Sequence, residues 1–98
     1  MSFTVVGDVF EWRGPAPFHF VALSAAQAAE MSEMAREVTY GWGMIPVTGR
    51  VGRTSFTTSL WPKEGTYYVP LKDAVRNAEG IKLGDRVTVQ LDLRFDRR

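Results

Sequence analysis

The chain has 98 residues, is 45% hydrophobic and 23% charged, and carries a formal net charge of +1, a composition that excludes a disordered chain and suffices for one packed core. Arg94, Arg97 and Arg98 crowd the C-terminus, so the remainder is close to neutral and lacks the basic balance of a nucleic-acid footprint. The absence of cysteine removes disulfides, thiolate nucleophiles and Cys-based zinc sites.

Residues 3–12 mix β-branched and aromatic side chains, with Phe3, Val5 and Val9 on one face and Val6, Phe10 and Trp12 on the other, the pattern of a strand covered on both sides. Arg13-Gly14-Pro15-Ala16-Pro17 turns the chain, because glycine supplies positive φ and proline blocks ladder hydrogen bonds. A second strand returns over 18–23. Ser24 followed three residues later by Gln27 is a capping box in front of an alanine-rich run, so the spacing predicts a helix over 25–38 with Ala28, Met31, Ala35 and Val38 facing inward.

Tyr40-Gly41-Trp42-Gly43 ends that helix. Residues 45–61 then alternate as a hairpin turning at Gly52-Arg53, with Phe56, Thr58 and Leu60 on one face. A loop over 62–65 leads to a short strand over 66–69 ended by Pro70. Residues 71–79 show helical spacing through Leu71, Ala74, Val75 and Ala78, and Gly80 takes the position just past the helix end. Gly84-Asp85 turns the chain into 86–95, where Val87, Val89, Leu91, Leu93 and Phe95 alternate with polar residues without error. Six strands and two helices without a repeat or linker make one domain, 1–98, a mainly β barrel, closed or partly open, with helices plugging its ends.

Gly41-Trp42-Gly43, the stretch Thr58-Ser59-Leu60-Trp61-Pro62, Tyr67-Tyr68-Val69-Pro70-Leu71-Lys72, and the run from Ala74-Val75-Arg76-Asn77 through Gly84-Asp85 occur here in that order. In these motifs, and in the aromatic region of Trp12 and Phe18-His19-Phe20, the chain resembles the bacterial and archaeal family called domain of unknown function 1905, from about residue 3 to 95. The resemblance implies a small six-stranded double-split β-barrel with one long and one short α-helix, and no assigned catalytic residues. Members are also similar, from Val75-Arg76 to Gly84-Asp85-x-Val87, to swapped-hairpin DNA-binding domains.

Chemistry is sparse. His19 is the only histidine, without a second imidazole or a cysteine at ligand spacing, so a structural or surface role outweighs a metal site or triad. Gly49-Arg50-Val51-Gly52-Arg53 has the glycines of a phosphate loop, but a strand rather than a helix follows, which favours an ordinary turn. Ser55, Thr57, Thr58 and Ser59 lack an elbow motif or a partnered base and count as strand residues. Glu30, Glu33 and Glu37 fit a solvated helix face.

Aromatic residues make up 12% of the chain, more than so small a core can absorb, and together with arginine they favour a recognition surface. Lys72 and Arg76 share a helix face at i,i+4, where like charges repel by roughly 0.2–0.5 kcal/mol. Either an anionic ligand or acidic partner answers them, or Asp73, Glu79 or Asp85 does so within the fold. Tyr67, Arg53, Trp42 and Trp61 complete the candidate binding residues. No catalytic residue, metal ligand or cofactor is expected.

The leading expectation is thus a non-enzymatic domain binding an unknown small molecule or protein. A nucleic-acid-binding domain of swapped-hairpin type and a small enzyme whose groups converge only in three dimensions are the alternatives. The N-terminus lacks a signal-peptide pattern and no stretch approaches the ~18 apolar residues of a membrane span, so the expected location is the cytoplasm, as a monomer or homodimer without a membrane partner.

Overall fold

The structure is a computed structural model, and it describes residues 2–12, 18–34 and 44–94. Seven strands and two helices follow one another: β1 (Ser2–Asp8), β2 (Phe10–Trp12), β3 (Phe18–Ala22), α1 (Ala25–Met34), β4 (Ile45–Val51), β5 (Thr54–Lys63), β6 (Thr66–Pro70), α2 (Asp73–Glu79) and β7 (Arg86–Leu93). Every pairing is antiparallel, in the order β1-β7-β4-β5-β6-β3-β2. The sheet curls into a half-barrel, bringing β1 against β3 without pairing to it.

Seven strands stand where six were expected, because the first expected strand divides at Val9. Its backbone leaves the ladder there: Val9 donates its N–H to the Asp85 carbonyl (2.9 Å) and its own carbonyl accepts from Gly84 (2.8 Å). Before Val9 the chain pairs with β7, Phe3 opposite Leu91 and Val5 opposite Val89. After it the chain pairs with β3, Phe10 opposite Phe20 and Trp12 opposite Phe18. One residue thus moves the strand from one end of the sheet to the other.

The Ser24–Gln27 capping box forms: Gln27 donates its backbone N–H to Ser24 Oγ (3.2 Å), and Gln27 Oε1 accepts from the Ser24 backbone (3.4 Å). The Gln27 side-chain amide also donates to the Thr4 carbonyl (2.6 Å), tying α1 to β1, which pairs on one side only. The expected inward residues Ala28 and Met31 are buried, whereas Ala35, Val38 and the Tyr40–Gly43 break lie outside the described residues. The loop expected over 62–65 shrinks to a Glu64-Gly65 turn, since β5 continues to Lys63 once its pairing with β4 has ended at Leu60. Proline at 62 therefore breaks no bond to β4.

Helix α2 starts at Asp73 rather than 71, with Lys72 as its N-cap in extended conformation, and ends at Gly80 in the left-handed region. The last tight turn is held by Asp85 Oδ2, which accepts from the Lys82 backbone N–H (2.8 Å), and by Gly84, whose φ of 86° is disfavoured for residues with a Cβ. Nothing lies near enough to obstruct a side chain at Gly84, so the penalty for Gly84→Val is conformational alone. It is expected to lower stability by about 1–3 kcal/mol. Chemical denaturation measures it, and an unchanged midpoint would refute it.

The half-barrel has two unlike faces. Its concave side holds one core, including Val5, Met31, Ile45, Val47, Leu60, Val69, Val75, Val89 and Leu91, closed off by α1 and α2. Phe20 is only 1% exposed but is not part of that core. It points the other way and is enclosed by the rings of Phe10 (6.0 Å between centroids), Phe18 (6.1 Å), Trp61 (5.2 Å) and Tyr68 (5.3 Å). The second layer is dominated by aromatics because alternation on β3, β5 and β6 sends Phe18, Phe20, Trp61 and Tyr68 to one side, with Pro70 opposite Phe20 and Ala22 opposite Tyr68. At its border, Lys63 Nζ sits over the Trp12 ring at 5.4 Å, a cation–π contact.

Candidate functional site

Where the aromatic layer meets the start of α2, the surface opens into a cleft of about 570 Å³. Phe18 and His19 of β3 and Thr58 and Trp61 of β5 line one side; Pro70, Leu71, Lys72, Asp73, Ala74 and Arg76 line the other. Strand pairing explains the first wall, since β6 joins β3 to β5 and sets Phe18 and Trp61 edge to face, 5.4 Å apart. The second wall follows from a backbone bond. Leu71 donates its N–H to the His19 carbonyl (2.9 Å), which fixes the entry to α2 beside β3.

The two cations in the cleft are held differently. Arg76 is braced locally, with Nε donating to the Leu71 carbonyl just before α2 (3.1 Å) and the terminal guanidinium paired to Asp73 within the helix. Lys72 Nζ donates to the Thr57 carbonyl (2.8 Å), a neutral acceptor, and forms no ion pair among the described residues. An ammonium has three donors, so two remain for another acceptor. Asp73 thus supplies the internal answer to Arg76, whereas Glu79 is engaged elsewhere and Asp85 caps its own turn.

The remaining candidates are dispersed. Arg53 lies in the β4–β5 turn, where its backbone N–H and the Thr54 hydroxyl both donate to Glu79 Oε2 (3.2 and 2.6 Å). The glycine-rich stretch before it is strand and turn, as expected, with that backbone donor taken by a carboxylate. Tyr67 packs against the main core and borders a separate groove beside α1 and the β5–β6 turn. It is not among the residues lining the cleft, where Trp61 and Phe18 stand with Lys72 and Arg76 instead. Trp42 lies outside the described residues.

Two lining residues, Phe18 and His19, were not among the candidates, and each lies more than forty residues from Trp61 and Lys72. The His19 ring is unusual. Its Nδ1 is buried without a hydrogen-bond partner, the one such side-chain atom among the described residues. No cluster of three His, Cys, Asp or Glu side chains suited to a metal occurs among the described residues, and no helix there is long and apolar enough to cross a membrane.

A curled antiparallel sheet closed by two helices, with an aromatic and cationic cleft at one end, defines a small β half-barrel domain. The chain belongs to the family Domain of unknown function (DUF1905), whose model matches residues 6–91. No curated protein matches it.

Proposed function

We propose that the domain is a non-enzymatic binding module for a small anionic ligand carrying an apolar group, held in the cleft between β3, β5 and the start of α2. The observation that carries this reading is the meeting of Lys72, a cation with no carboxylate partner among the described residues, with the Phe18–Trp61 aromatic wall in one concavity. The wall offers its rings to an apolar body; the ammonium fixes a charged end. A volume of about 570 Å³ suits a small molecule rather than a folded partner. The polar groups that line the cleft, the Lys72 ammonium, the Arg76–Asp73 pair, the Thr58 hydroxyl and the His19 ring, are a set suited to holding a charged ligand.

Benzoate is a suitable test ligand for thermal unfolding. At ten times its Kd it should stabilise the domain by about 1.4 kcal/mol, a rise of roughly 6–11 °C in Tm for a chain of this size. Lys72→Ala should abolish most of that rise while leaving the unliganded midpoint close to its native value, since the side chain is exposed and makes one bond. An equal rise in both proteins would remove Lys72 from the site, and no rise with benzoate or other small carboxylates would refute the reading.

A further inference from the structure

The charges and the histidine in the cleft specify the ligand more narrowly, on the footing that the cleft binds a small anion. We propose that the ligand class is an aryl monocarboxylate and that His19 reads its carboxylate as a hydrogen-bond donor through Nε2. Two cations, Lys72 and Arg76, and one carboxylate, Asp73, line the cleft, and Arg76 is already paired to Asp73. One positive charge is left over, which matches a monoanion. A phosphate dianion would bring a second negative charge beside Asp73 with no cation to meet it.

A neutral imidazole has one donor and one acceptor nitrogen. Nδ1 is buried and unpartnered, and placing the hydrogen there would bury an N–H with no acceptor, the kind of orphan that folded proteins rarely leave. Nε2 is neither hydrogen-bonded nor among the buried unpartnered atoms, so it is the ring nitrogen open to the surroundings. The hydrogen therefore sits on Nε2, and the ring offers a donor where His19 lines the cleft. A carboxylate has two oxygens, one for Lys72 Nζ and one for this N–H, and the aryl group lies on Trp61 and Phe18. Ring against ring favours an aromatic over a saturated body.

Phenylacetate, cyclohexylacetate, phenylacetamide and phenyl phosphate separate these requirements by calorimetric titration of the native protein. Phenylacetate is expected to bind most tightly, with phenylacetamide weaker by roughly 10-fold to 100-fold, the equivalent of a charge-assisted hydrogen bond. Phenyl phosphate binding as well as or better than phenylacetate would overturn the monocarboxylate assignment while leaving an anion site in place, and equal binding of cyclohexylacetate would overturn the aryl assignment. If none of the four binds, the anion site itself falls.

The histidine is tested independently by the imidazole ¹⁵N resonances of the native protein. They should show Nε2 protonated and Nδ1 bare without ligand, and phenylacetate should move the Nε2 signal more than the Nδ1 signal. A ring protonated on Nδ1, or unmoved by bound phenylacetate, would remove His19 from the site. His19→Phe keeps the ring and loses the donor, so it should weaken phenylacetate, while His19→Gln, which restores a donor, should recover part of the loss. Equal affinity in native protein and His19→Phe would also overturn the role.

Discussion

Phe20→Ala is expected to destabilise the domain by about 3–5 kcal/mol, the range for emptying a fully buried phenylalanine site. Phe20 is the ring that Phe10, Phe18, Trp61 and Tyr68 all touch, and at 1% exposure it is the buried centre of the outer layer. The four surrounding rings come from four strands, β2, β3, β5 and β6. They cannot close the void together without shifting the sheet. A partial collapse sets the low end of the range and a persistent cavity the high end. Phe18→Ala is the natural control, because Phe18 is 40% exposed and loses far less contact. Urea unfolding measures both. A Phe20→Ala cost no greater than that of Phe18→Ala would show that the outer layer is decoration and not a second core.

Leu91→Ala should cost about 2–5 kcal/mol, and the geometry around it predicts that the cost is not independent of a neighbour. Phe3, Leu91, Gly49 and Phe56 stand opposite one another across β1, β7, β4 and β5, forming one buried row. The glycine in that row is filled by its neighbour: a Cβ at Gly49 would lie 2.6 Å from Phe56 Cζ, so the ring of Phe56 rests on the bare backbone. Gly49→Ala alone therefore forces the ring aside and should cost about 1–3 kcal/mol by overpacking. Once Leu91 has been truncated, the displaced ring has space beside it. The double variant should consequently lose less than the sum of the two single losses, a coupling that contacting residues show and distant ones do not. Additive losses by chemical denaturation would mean that Phe56 cannot move into the space, and the row argument would fail.

The parts of the fold legible in the sequence are those set by neighbours along the chain. Alternation from Val87 to Leu93 marks β7, Ser24 and Gln27 mark the start of α1, and Gly80 and Gly84 mark backbone positions with positive φ. The division of the first strand was not legible, because it depends on Val9 bonding to Gly84 and Asp85, more than seventy residues away. Gly7-Asp8 interrupts the apolar alternation just before Val9, but nothing in that dipeptide tells which strand the chain pairs with next.

The candidate site divides along the same line. Lys72 and Arg76 could be paired by spacing, and Trp61 stood out as a ring in excess of the core. Phe18 and His19 join them only through the β3–β6–β5 ladder and the bond from Leu71 to the His19 carbonyl. The sequence does carry one signal for the tyrosines. Strict alternation backward from the buried Val69 puts Tyr67 on the core side and Tyr68 with the aromatics, the arrangement found. Arg53 carried no comparable signal, since its place depends on Glu79.

The most direct test of the cleft as a ligand site is a ¹H–¹⁵N correlation titration of the native protein with benzoate. Progressive shifts should be concentrated at Phe18, His19, the Trp61 indole N–H and the backbone from Leu71 to Arg76. Shifts centred instead on the groove at Ala28, Ser32, Thr66 and Tyr67, or no shifts with small carboxylates at low salt, would contradict it.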